Sequence, residues 1–440
     1  LTNRTKKALF CVCVIVDELH SHIFFFPAFA ISYSRLSVFI LILCGCIFGG
    51  LMGENGTNMT CPDVCHCPSD DYISCIKLGL RSIPQDLPPS ADSLNLEGNQ
   101  LRVLLFNAFK RVPLLQYLWI NQNNLTFLYP GSFISLNNLR ELNLSKNPRL
   151  TYLHAHTFRG LLNLVSMDVS HCNIFEIHPL VFSHVVSLET LDLGFNKIHY
   201  IPEALRKLHN MTKLSLENNQ IEAIGKNSFK TQHMLQELSL RRNQIWVIEN
   251  DAFNQLNKLT VLNLGHNSLS HLPNPIFRGL LQLKIIYLEA NRISIINCSF
   301  NSLINLKKLH LNNNHIEQIT HNAFSSLTHL QMIHLSKNNL TFIPSYLFSH
   351  MSKLKNVFLS SNPWRCDCSM AWTANWMLTY NGAIHGLHCI FAVSYGSTSD
   401  VFTQRGVLCP QQEVTDDRCM ESSTSASSDP LLQTSLICNK

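Results

Sequence analysis

The sequence predicts an α/β solenoid, with a curved parallel sheet on the concave side and irregular or 3-10 segments on the convex side. The main observation is a nine-residue phrase that recurs every 23 to 25 residues, written as Leu188-x-x-Leu191-x-Leu193-x-x-Asn196 in one of its copies. This is the period of a leucine-rich repeat. The twelve closing positions are Asn99, Asn123, Asn147, Cys172, Asn196, Asn219, Asn243, Asn267, Asn291, Asn314, Asn338 and Asn362.

A second column of apolar residues supports the same register. Eleven of the closing positions are followed, nine to eleven residues later, by Phe or in one repeat Leu, and we expect these side chains to form an apolar spine. They are Phe109, Phe133, Phe158, Phe182, Leu205, Phe229, Phe253, Phe277, Phe300, Phe324 and Phe348. The offset is longest at Phe158, where Pro148 opens a longer connection, so length variation should be absorbed in the loop that follows the strand.

The phrase has a physical reading. In an extended strand the alternating apolar residues point into a core and the variable residues point to solvent. One repeat cannot bury its apolar face alone, whereas stacked repeats cover one another. The Asn amide at the strand end can satisfy backbone groups of adjoining turns, so the Asn column should form a ladder. Cys172 takes the ladder position in one repeat because Cys is small and readily buried.

The composition fits an extended array and argues against several functional classes. The 440 residues are 46% hydrophobic and 14% charged, which supplies ample core-forming material. A formal net charge of +5 without a block of Lys or Arg makes nucleic acid an unexpected partner. Among the 21 His there is no metalloprotease motif, and the chain has no phosphate loop or nucleophile elbow. We therefore predict no enzyme, no cofactor, no metal site and no small-molecule substrate.

We divide the chain into five segments. They are a leader and signal peptide at 1–53, a cysteine-rich N-terminal cap at 54–90, twelve repeats at 91–362, a cysteine-rich C-terminal cap at 363–419, and a disordered Ser/Thr-rich tail at 420–440. The signal is predicted from a basic residue, an apolar run and small residues across 35–53, with a signal anchor as the alternative. Residues 1–34 precede it and begin with Leu, so an artefact of a fragmentary gene model is a second interpretation of that part.

The expected location is extracellular. The last ten residues contain no membrane span and no lipid-anchor tail. We therefore expect that the chain is secreted as written, or that a membrane anchor has been lost by truncation. Seven glycosylation sequons follow the signal, which fits export. They lie at Asn55, Asn58, Asn124, Asn143, Asn210, Asn297 and Asn339. Asn143 is distinctive because it lies on the exposed strand face, where a glycan would block part of the concave surface.

The sixteen cysteines are placed unevenly, and nine of them form two clusters that flank the array, four at 61–75 and five at 366–419. Because a solenoid exposes apolar ends that need covering, we interpret the clusters as disulfide caps, with zinc sites as the competing interpretation. Only Cys172 and Cys298 lie within the array. At about 4.8 Å per strand they are roughly 24 Å apart, beyond the ~7 Å limit for a disulfide, so they cannot bond to each other. We interpret both as buried thiols without a role.

The concave face is the predicted binding surface. Interfaces favour aromatic residues and Arg, so Trp119, Tyr287 and Phe358, with Arg241 and Arg242 beside them, are the first candidates for partner contacts. Charge also divides this face. Asp168, Glu189 and Asp192 come early, and Arg241, Arg242, Lys284, Lys307 and Lys308 follow, an asymmetry that could orient a partner.

Two further candidates on this face are histidines. His310 and His334 occupy the same outward strand position in successive repeats, which places them about 5 Å apart. We expect two solvated residues of a protein-binding face. A shared metal or a common response to pH is the alternative.

Particular passages resemble the nyctalopin-like branch of the extracellular small leucine-rich-repeat family, which also includes the Nogo receptors and chondroadherin. They are residues 124–133, the lengthened connection 150–158, and residues 204–214, together with Cys172 at a ladder position. The resemblance extends over about residues 61–419. The segment Asn362-Pro-Trp-Arg-Cys-Asp-Cys368 is shared by many relatives and discriminates little.

The resemblance carries its own expectations. It implies disulfides between Cys61 and Cys67, Cys65 and Cys75, and Cys366 and Cys389, with Cys368 reaching Cys409 or Cys419. It implies a non-enzymatic synaptic organiser that localises a transduction channel and receptor complex at the dendrites of retinal ON bipolar cells. The partner would be an extracellular or membrane protein, such as a cation channel or a glutamate receptor complex. The alternative is a Nogo-receptor-like or extracellular-matrix binding protein.

Overall fold

A computed structural model describes residues 61–366, 370–388 and 391–392. Its main element is a sheet of fourteen strands in which every pair of neighbours is parallel. The strands are Tyr72–Ser74, Ser93–Asn95, Tyr117–Trp119, Glu141–Asn143, Ser166–Asp168, Thr190–Asp192, Lys213–Ser215, Glu237–Ser239, Val261–Asn263, Ile285–Tyr287, Lys308–His310, Met332–His334, Asn356–Phe358 and Ala383–His385. Twelve of them belong to the predicted repeats, so the solenoid and its register are confirmed.

The other side of each turn is nearly free of helix. It carries pairs of two-residue strands, in the order Val103–Leu104 with Phe127–Leu128, Tyr152–Leu153 with Glu176–Ile177, Ala223–Ile224 with Val247–Ile248, Ile295–Ile296 with Gln318–Ile319, and Arg365–Cys366 with Phe391–Ala392. Among the described residues, the helical elements are 3-10 turns at Glu203–Lys207 and Cys298–Phe300 and one α-helix at Ala371–Thr379. Within the described residues, none of these helices has the length and apolarity that a membrane crossing would need.

The predicted spine is buried throughout. Its eleven side chains are each at most 4% exposed, and the Phe rings stack in two runs, from Phe109 to Phe182 and from Phe229 to Phe300. The ring centroids are 5.8 Å apart for Phe109 and Phe133 and 6.5 Å apart for Phe253 and Phe277. The stack is interrupted at Leu205, where the 3-10 turn Glu203–Lys207 replaces the usual loop. Between Phe109 and Phe182, and again between Phe229 and Phe324, each ring therefore packs against the ring of the next turn.

The Asn ladder satisfies backbone groups of neighbouring turns. At Asn267, Nδ2 donates to the carbonyl oxygens of Leu240 and Leu264, both at 3.0 Å, and Oδ1 accepts the backbone N–H of Ile245 at 3.0 Å. Nδ2 also lies 3.3 Å from the carbonyl oxygen of Gly265. One side chain thus partners four backbone groups, two of which belong to the preceding turn. Without the amide the buried Ile245 N–H would lose the one partner it has among the described residues. The carbonyl oxygens of Leu240 and Leu264 also accept from the amides of Asn243 and Asn291, so the ladder links each turn to both of its neighbours.

Cys172 fills the ladder position with weaker bonds. Its Sγ lies 3.6 Å from the carbonyl oxygen of Leu144 and 3.5 Å from that of Ser170. In the preceding turn, the N–H of Leu125 donates to Oδ1 of the ladder residue Asn147 at 3.1 Å. The equivalent N–H here belongs to Leu150, and a thiol cannot accept a strong hydrogen bond from it. That N–H donates instead to the backbone carbonyl of Asn147 at 3.0 Å. The longer connection that Pro148 opens therefore compensates for the missing amide.

The N-terminal cap forms as expected and also extends the sheet. Disulfides join Cys61 to Cys67 and Cys65 to Cys75, which confirms the two predicted pairs. The strand Tyr72–Ser74 pairs with the first repeat, and Ser74 forms an antiparallel bridge with His66 that covers the outer edge. Exposed strand edges invite unwanted pairing, so this bridge protects the end of the array.

The C-terminal cap adds a strand and aromatic packing. Trp364 is fully buried, and its Nε1 donates to the carbonyl oxygen of Leu359 at 3.0 Å. Trp372 Nε1 donates to the carbonyl oxygen of Ile343 at 3.1 Å, which ties the helix Ala371–Thr379 to the last turns. The predicted bonds of Cys366, Cys368, Cys389, Cys409 and Cys419 lie outside the described side chains.

The interpretation of both cysteines inside the array as free thiols is confirmed for Cys172 and wrong for Cys298. Cys298 is disulfide-bonded, so it is not a thiol without a role. The sequence excluded only Cys172 as its partner, because repeat spacing fixes distances inside the array and nowhere else. Cys172 is a buried free thiol, and burial raises its pKa to about 12, with the nearby Asp168 carboxylate adding to the rise. The predicted leader, signal and tail, and the sequons at Asn55 and Asn58, lie outside the described residues.

Candidate protein-binding face

The outward residue at the end of each strand forms one continuous column across the sheet, here called the central column. Strand register places neighbouring members side by side, as at Tyr287 and His310. In order the column reads Ser74, Asn95, Trp119, Asn143, Asp168, Asp192, Ser215, Ser239, Asn263, Tyr287, His310, His334, Phe358 and His385. The structure therefore brings five of the predicted contact residues, Trp119, Tyr287, His310, His334 and Phe358, onto one face.

The last five members of the central column form an uninterrupted series of rings, here called the aromatic row. It consists of Tyr287, His310, His334, Phe358 and His385. Successive ring centroids are 4.6, 6.3, 4.8 and 4.4 Å apart. His385 was missed in the sequence because its strand lies in the cap. The one available signal was Ile384, an apolar residue directly before His385.

Apolar side chains lie beside the aromatic row. Val261, Ile285 and Met332 occupy the other outward position of their strands and are half-buried. Lys308 holds the same position in the strand between the last two and is exposed. The C-terminal half of the face thus combines aromatic and aliphatic surface with peripheral positive charge, the composition that protein interfaces favour.

His310 and His334 are half-buried rather than fully solvated, which corrects the sequence-based expectation. Packing between Tyr287 and Phe358 removes water from their rings. Burial, and then the nearby His334 and Lys308, lower the pKa of His310 to about 4. Burial also lowers the pKa of His334. His310 is therefore neutral near pH 7, and it presents a ring without net charge.

We expect protein stability to depend on pH through His310. Its pKa of about 4 in the folded chain lies below the ordinary value of 6.5, so the unfolded chain binds the proton more readily between these values. The free energy of unfolding should therefore fall as the pH is lowered from 6.5 toward 4 and should be insensitive to this group above 6.5. Urea unfolding of wild type and His310→Phe across that range measures the effect.

The matched control is His199→Phe, since His199 is exposed and lies outside the concave sheet. His310→Phe should flatten the acid limb of the stability profile, and His199→Phe should leave it as in the wild type. Identical acid limbs in all three proteins would contradict the assignment.

Arg241 is engaged within the fold. Its Nη1 lies 3.1 Å from Glu217 Oε1, and its Nε lies 3.9 Å from Glu289 Oε1, so the guanidinium bridges carboxylates on both sides. Gly265 makes the second contact possible, because a Cβ there would come within 2.5 Å of Glu289 Oε1. The neighbouring Arg242 is exposed. Of the two predicted arginines, Arg242 is the one whose charge projects to solvent.

The predicted charge asymmetry has a geometric basis. Asp168 and Asp192 are side by side in the central column, and burial is the main cause that raises the pKa of Asp192, with Asp168 adding to it. Backbone and hydroxyl hydrogen bonds from Gly194 and Ser215 oppose that rise. Lys284, Lys307 and Lys308 are exposed near the aromatic row. The face therefore runs from acidic at its middle to basic and aromatic near its C-terminal end.

A second aromatic group lies at the other end of the face. Trp119 stacks on Tyr117 with centroids 6.0 Å apart and lies 6.3 Å from Tyr72. Its Nε1 donates to Glu141 Oε1 at 3.0 Å, so the indole leans toward the following strand. Tyr72 belongs to the cap strand that the sequence did not predict. We call Tyr72, Tyr117 and Trp119 the N-terminal aromatic cluster.

The part of the chain that the structure describes contains no preformed metal site. No group of three or more His, Cys, Asp or Glu side chains there is arranged to hold an ion. The His310 and His334 ring centroids are 6.3 Å apart, and the neighbouring rings are Tyr287 and Phe358. The arrangement therefore suits packing against a partner.

The leucine-rich repeat family model matches the chain at 89–148, 119–174, 149–198, 162–221, 233–293 and 304–363, which together exceed half of it. Nyctalopin of Mus musculus is 35% identical over 167 residues, covering 37% of this chain and 35% of that protein. Reticulon-4 receptor-like 2 of Rattus norvegicus, of the Nogo receptor group, is 36% identical over 130 residues, covering 29% and 30%. The matched segments thus span about a third of each relative.

The solved structures agree on the fold. A chain of the octameric complex of Latrophilin 3, Unc5D and FLRT2, in which FLRT2 supplies the leucine-rich repeats, superposes with a TM-score of 0.60 at 25% identity. The match covers 76% of this chain and 94% of that one. The resemblance to nyctalopin and the Nogo receptors, based on passages of the sequence, is confirmed by the relatives. The chain belongs to the leucine-rich repeat family and is similar, within it, to nyctalopin and the reticulon-4 receptor-like proteins.

Proposed function

We propose that this chain is a non-enzymatic extracellular scaffold that binds another protein through the aromatic row. The observation that carries the proposal is the register of five rings, Tyr287 to His385, along one side of the sheet. Main-chain pairing fixes each ring against its neighbours, so little side-chain entropy remains to be lost when a partner binds. Preorganised aromatic residues of this kind supply most of the binding energy in many interfaces.

The more specific proposal is a nyctalopin-like synaptic organiser. In this role the chain localises a transduction channel of the melastatin transient-receptor-potential type, near a metabotropic glutamate receptor, at the dendrites of retinal ON bipolar cells. The similarity to mouse nyctalopin over 167 residues supports it. The alternative is a Nogo-receptor-like or matrix-type binding protein, which the similarity to reticulon-4 receptor-like 2 favours.

A cell-surface capture assay separates these roles. Tagged chain is added to cells that display the channel together with the receptor, to cells with the channel alone, and to collagen-coated wells. Saturable binding to the channel-bearing cells, with transcript confined to retinal bipolar cells, supports the organiser. Binding to collagen alone, with broad transcript in cartilage or brain, would establish the alternative.

Charge reversal on the concave face should weaken capture in that assay. The Arg241→Glu and Arg242→Glu pair reverses two positive charges that follow the concave strand Glu237–Ser239, whereas Lys226→Glu and Lys230→Glu reverse two exposed charges outside the concave sheet. We expect the first pair to reduce capture more, since complementary charge at an interface affects partner capture. Equal losses for the two pairs would contradict binding through this face.

The structure supplies a sharper form of this comparison. Reversing Arg241 places a third carboxylate between Glu217 and Glu289, and this would destabilise the fold locally. Arg242→Glu alone avoids that effect because the Arg242 side chain is exposed. Its capture should fall while its thermal unfolding midpoint stays at the wild-type value. Lys230→Glu is the matched single control.

A further inference from the structure

Among the sequons in the described residues, Asn143-Leu144-Ser145 alone lies on the concave sheet. Asn143 is the outward residue at the end of the strand Glu141–Asn143 and is half-buried. Strand register places it directly beside Trp119 on one side and Asp168 on the other. The sequons at Asn124, Asn210, Asn297 and Asn339 lie in the turns outside these strands.

The amide of Asn143 is oriented by the turn that follows it. Its Oδ1 accepts the backbone N–H of Ser145 at 3.0 Å and the Ser145 hydroxyl at 2.7 Å. Asp168 and Asp192 make the same turn, with Oδ1 accepting the N–H two residues later at 2.9 and 2.8 Å. With its oxygen turned to Ser145, the amide presents Nδ2, the atom that carries an N-glycan, on the other side. Attachment of a sugar at Nδ2 leaves both of these hydrogen bonds intact.

Trp119 lies directly beside Asn143, because strand register pairs the two residues. The bond from its Nε1 to Glu141 Oε1, at 3.0 Å, ties the indole to the strand on which Asn143 lies. Tyr117 stacks on the indole, with ring planes only 9° from parallel. A fixed aromatic face beside an attachment point can pack against the C–H-rich face of a sugar ring, because the face of an aromatic ring carries negative charge and polarised C–H groups carry positive charge.

We propose that Asn143 carries an N-glycan whose first N-acetylglucosamine packs on Trp119 and covers the N-terminal aromatic cluster. In the attachment, Nδ2 forms a bond to the anomeric carbon of an oligosaccharide linked to a lipid diphosphate. The bond from that carbon to the diphosphate breaks, the lipid diphosphate leaves, and Nδ2 loses one proton. The packed sugar then shields Tyr117 and Trp119 from a protein partner, which leaves the aromatic row open for docking.

This inference rests on export, the extracellular part of the proposed function, and on no particular partner. The full chain is exported from cultured mammalian cells, and glycan occupancy at each sequon is measured by peptide mass spectrometry. Hydroxyl-radical oxidation of Trp119 is then compared in wild type, in Asn143→Asp, and in wild type trimmed enzymatically to a single N-acetylglucosamine. Asn143→Asp preserves the turn, since Asp168 and Asp192 form it in the next two repeats. Trp246, which is 60% exposed and outside the concave sheet, is the internal reference.

We expect Asn143 to be occupied and Trp119 to be oxidised several-fold less in the wild type than in Asn143→Asp. The trimmed protein should keep the protection, because the first sugar provides it, and Trp246 should react equally in all three. An unoccupied Asn143 beside occupied Asn210 or Asn339 would overturn the inference while leaving export intact. Equal oxidation of Trp119 in all three proteins would overturn the packing. No occupied sequon at all would count against export itself.

Discussion

Replacing Asn267 by Ala is expected to lower the free energy of unfolding by about 3 kcal/mol, since a buried N–H left without a partner costs roughly 1 to 3 kcal/mol and each other lost hydrogen bond roughly 0.5 to 1.5 kcal/mol. The substitution leaves the Ile245 N–H without its acceptor and removes one of two donors from each carbonyl oxygen of Leu240, Leu264 and Gly265. A full penalty for each oxygen is not expected, because Asn243, Asn291 and the Arg242 N–H still donate to them. Urea unfolding followed by circular dichroism measures the difference.

Cys172→Ala is the matched control because it changes the same ladder position in another turn. We expect a loss of about 1 kcal/mol, since the thiol makes only weak bonds and the Leu150 N–H is already satisfied by Asn147. The contrast tests the ladder directly. Similar losses for the two variants would show that the ladder stabilises the fold through packing volume rather than through hydrogen bonds.

The second large effect is expected at the aromatic row. Phe358→Ser should weaken partner capture about 10- to 100-fold, because an interface anchor contributes roughly 2 kcal/mol or more and 1.4 kcal/mol corresponds to a factor of ten. Phe358 lies between His334 and His385, with centroids 4.8 and 4.4 Å away, so its removal also breaks the series of rings. Capture is measured in the cell-surface assay described above.

Trp246→Ser provides the control for this prediction. Trp246 is 60% exposed and lies outside the concave sheet, so its loss removes as large an aromatic surface without touching the row. Thermal unfolding shows whether either variant is folded at the assay temperature. Capture that survives Phe358→Ser but is lost in Trp246→Ser would move the binding site off the concave face.

Much of this fold could be predicted because the spacing of the repeat fixes which residues lie side by side in neighbouring strands. A Leu at a fixed place in each phrase must point inward, so neighbours such as Tyr287 and His310 could be placed side by side from spacing alone. The burial of the spine could also be predicted from spacing, including that of Leu205, which has no aromatic ring. Periodicity is informative here because one local solution is repeated with each turn.

The features that were missed are those that periodicity does not encode. The cap strands at Tyr72–Ser74 and Ala383–His385 carry no Leu phrase. They pair with the first and last repeats because the edge strands of the array expose unpaired backbone N–H and C=O groups. The Glu217, Arg241 and Glu289 contacts depend on a long side chain crossing above Gly265. The disulfide state of Cys298 is not encoded by the repeat, because repeat spacing fixes distances only inside the array. Each of these requires three-dimensional information about parts of the chain that do not repeat.

The regular stacking of turns also fixes a length. Trp119 and Tyr287 hold the same strand position seven strands apart, which at ~4.8 Å per strand separates the two aromatic ends by about 34 Å along the sheet. Inserting or deleting one whole repeat between them would change this gap by a single strand step and leave the chemistry at both ends untouched. The number of repeats therefore sets the distance between these two aromatic surfaces without affecting the residues that form them.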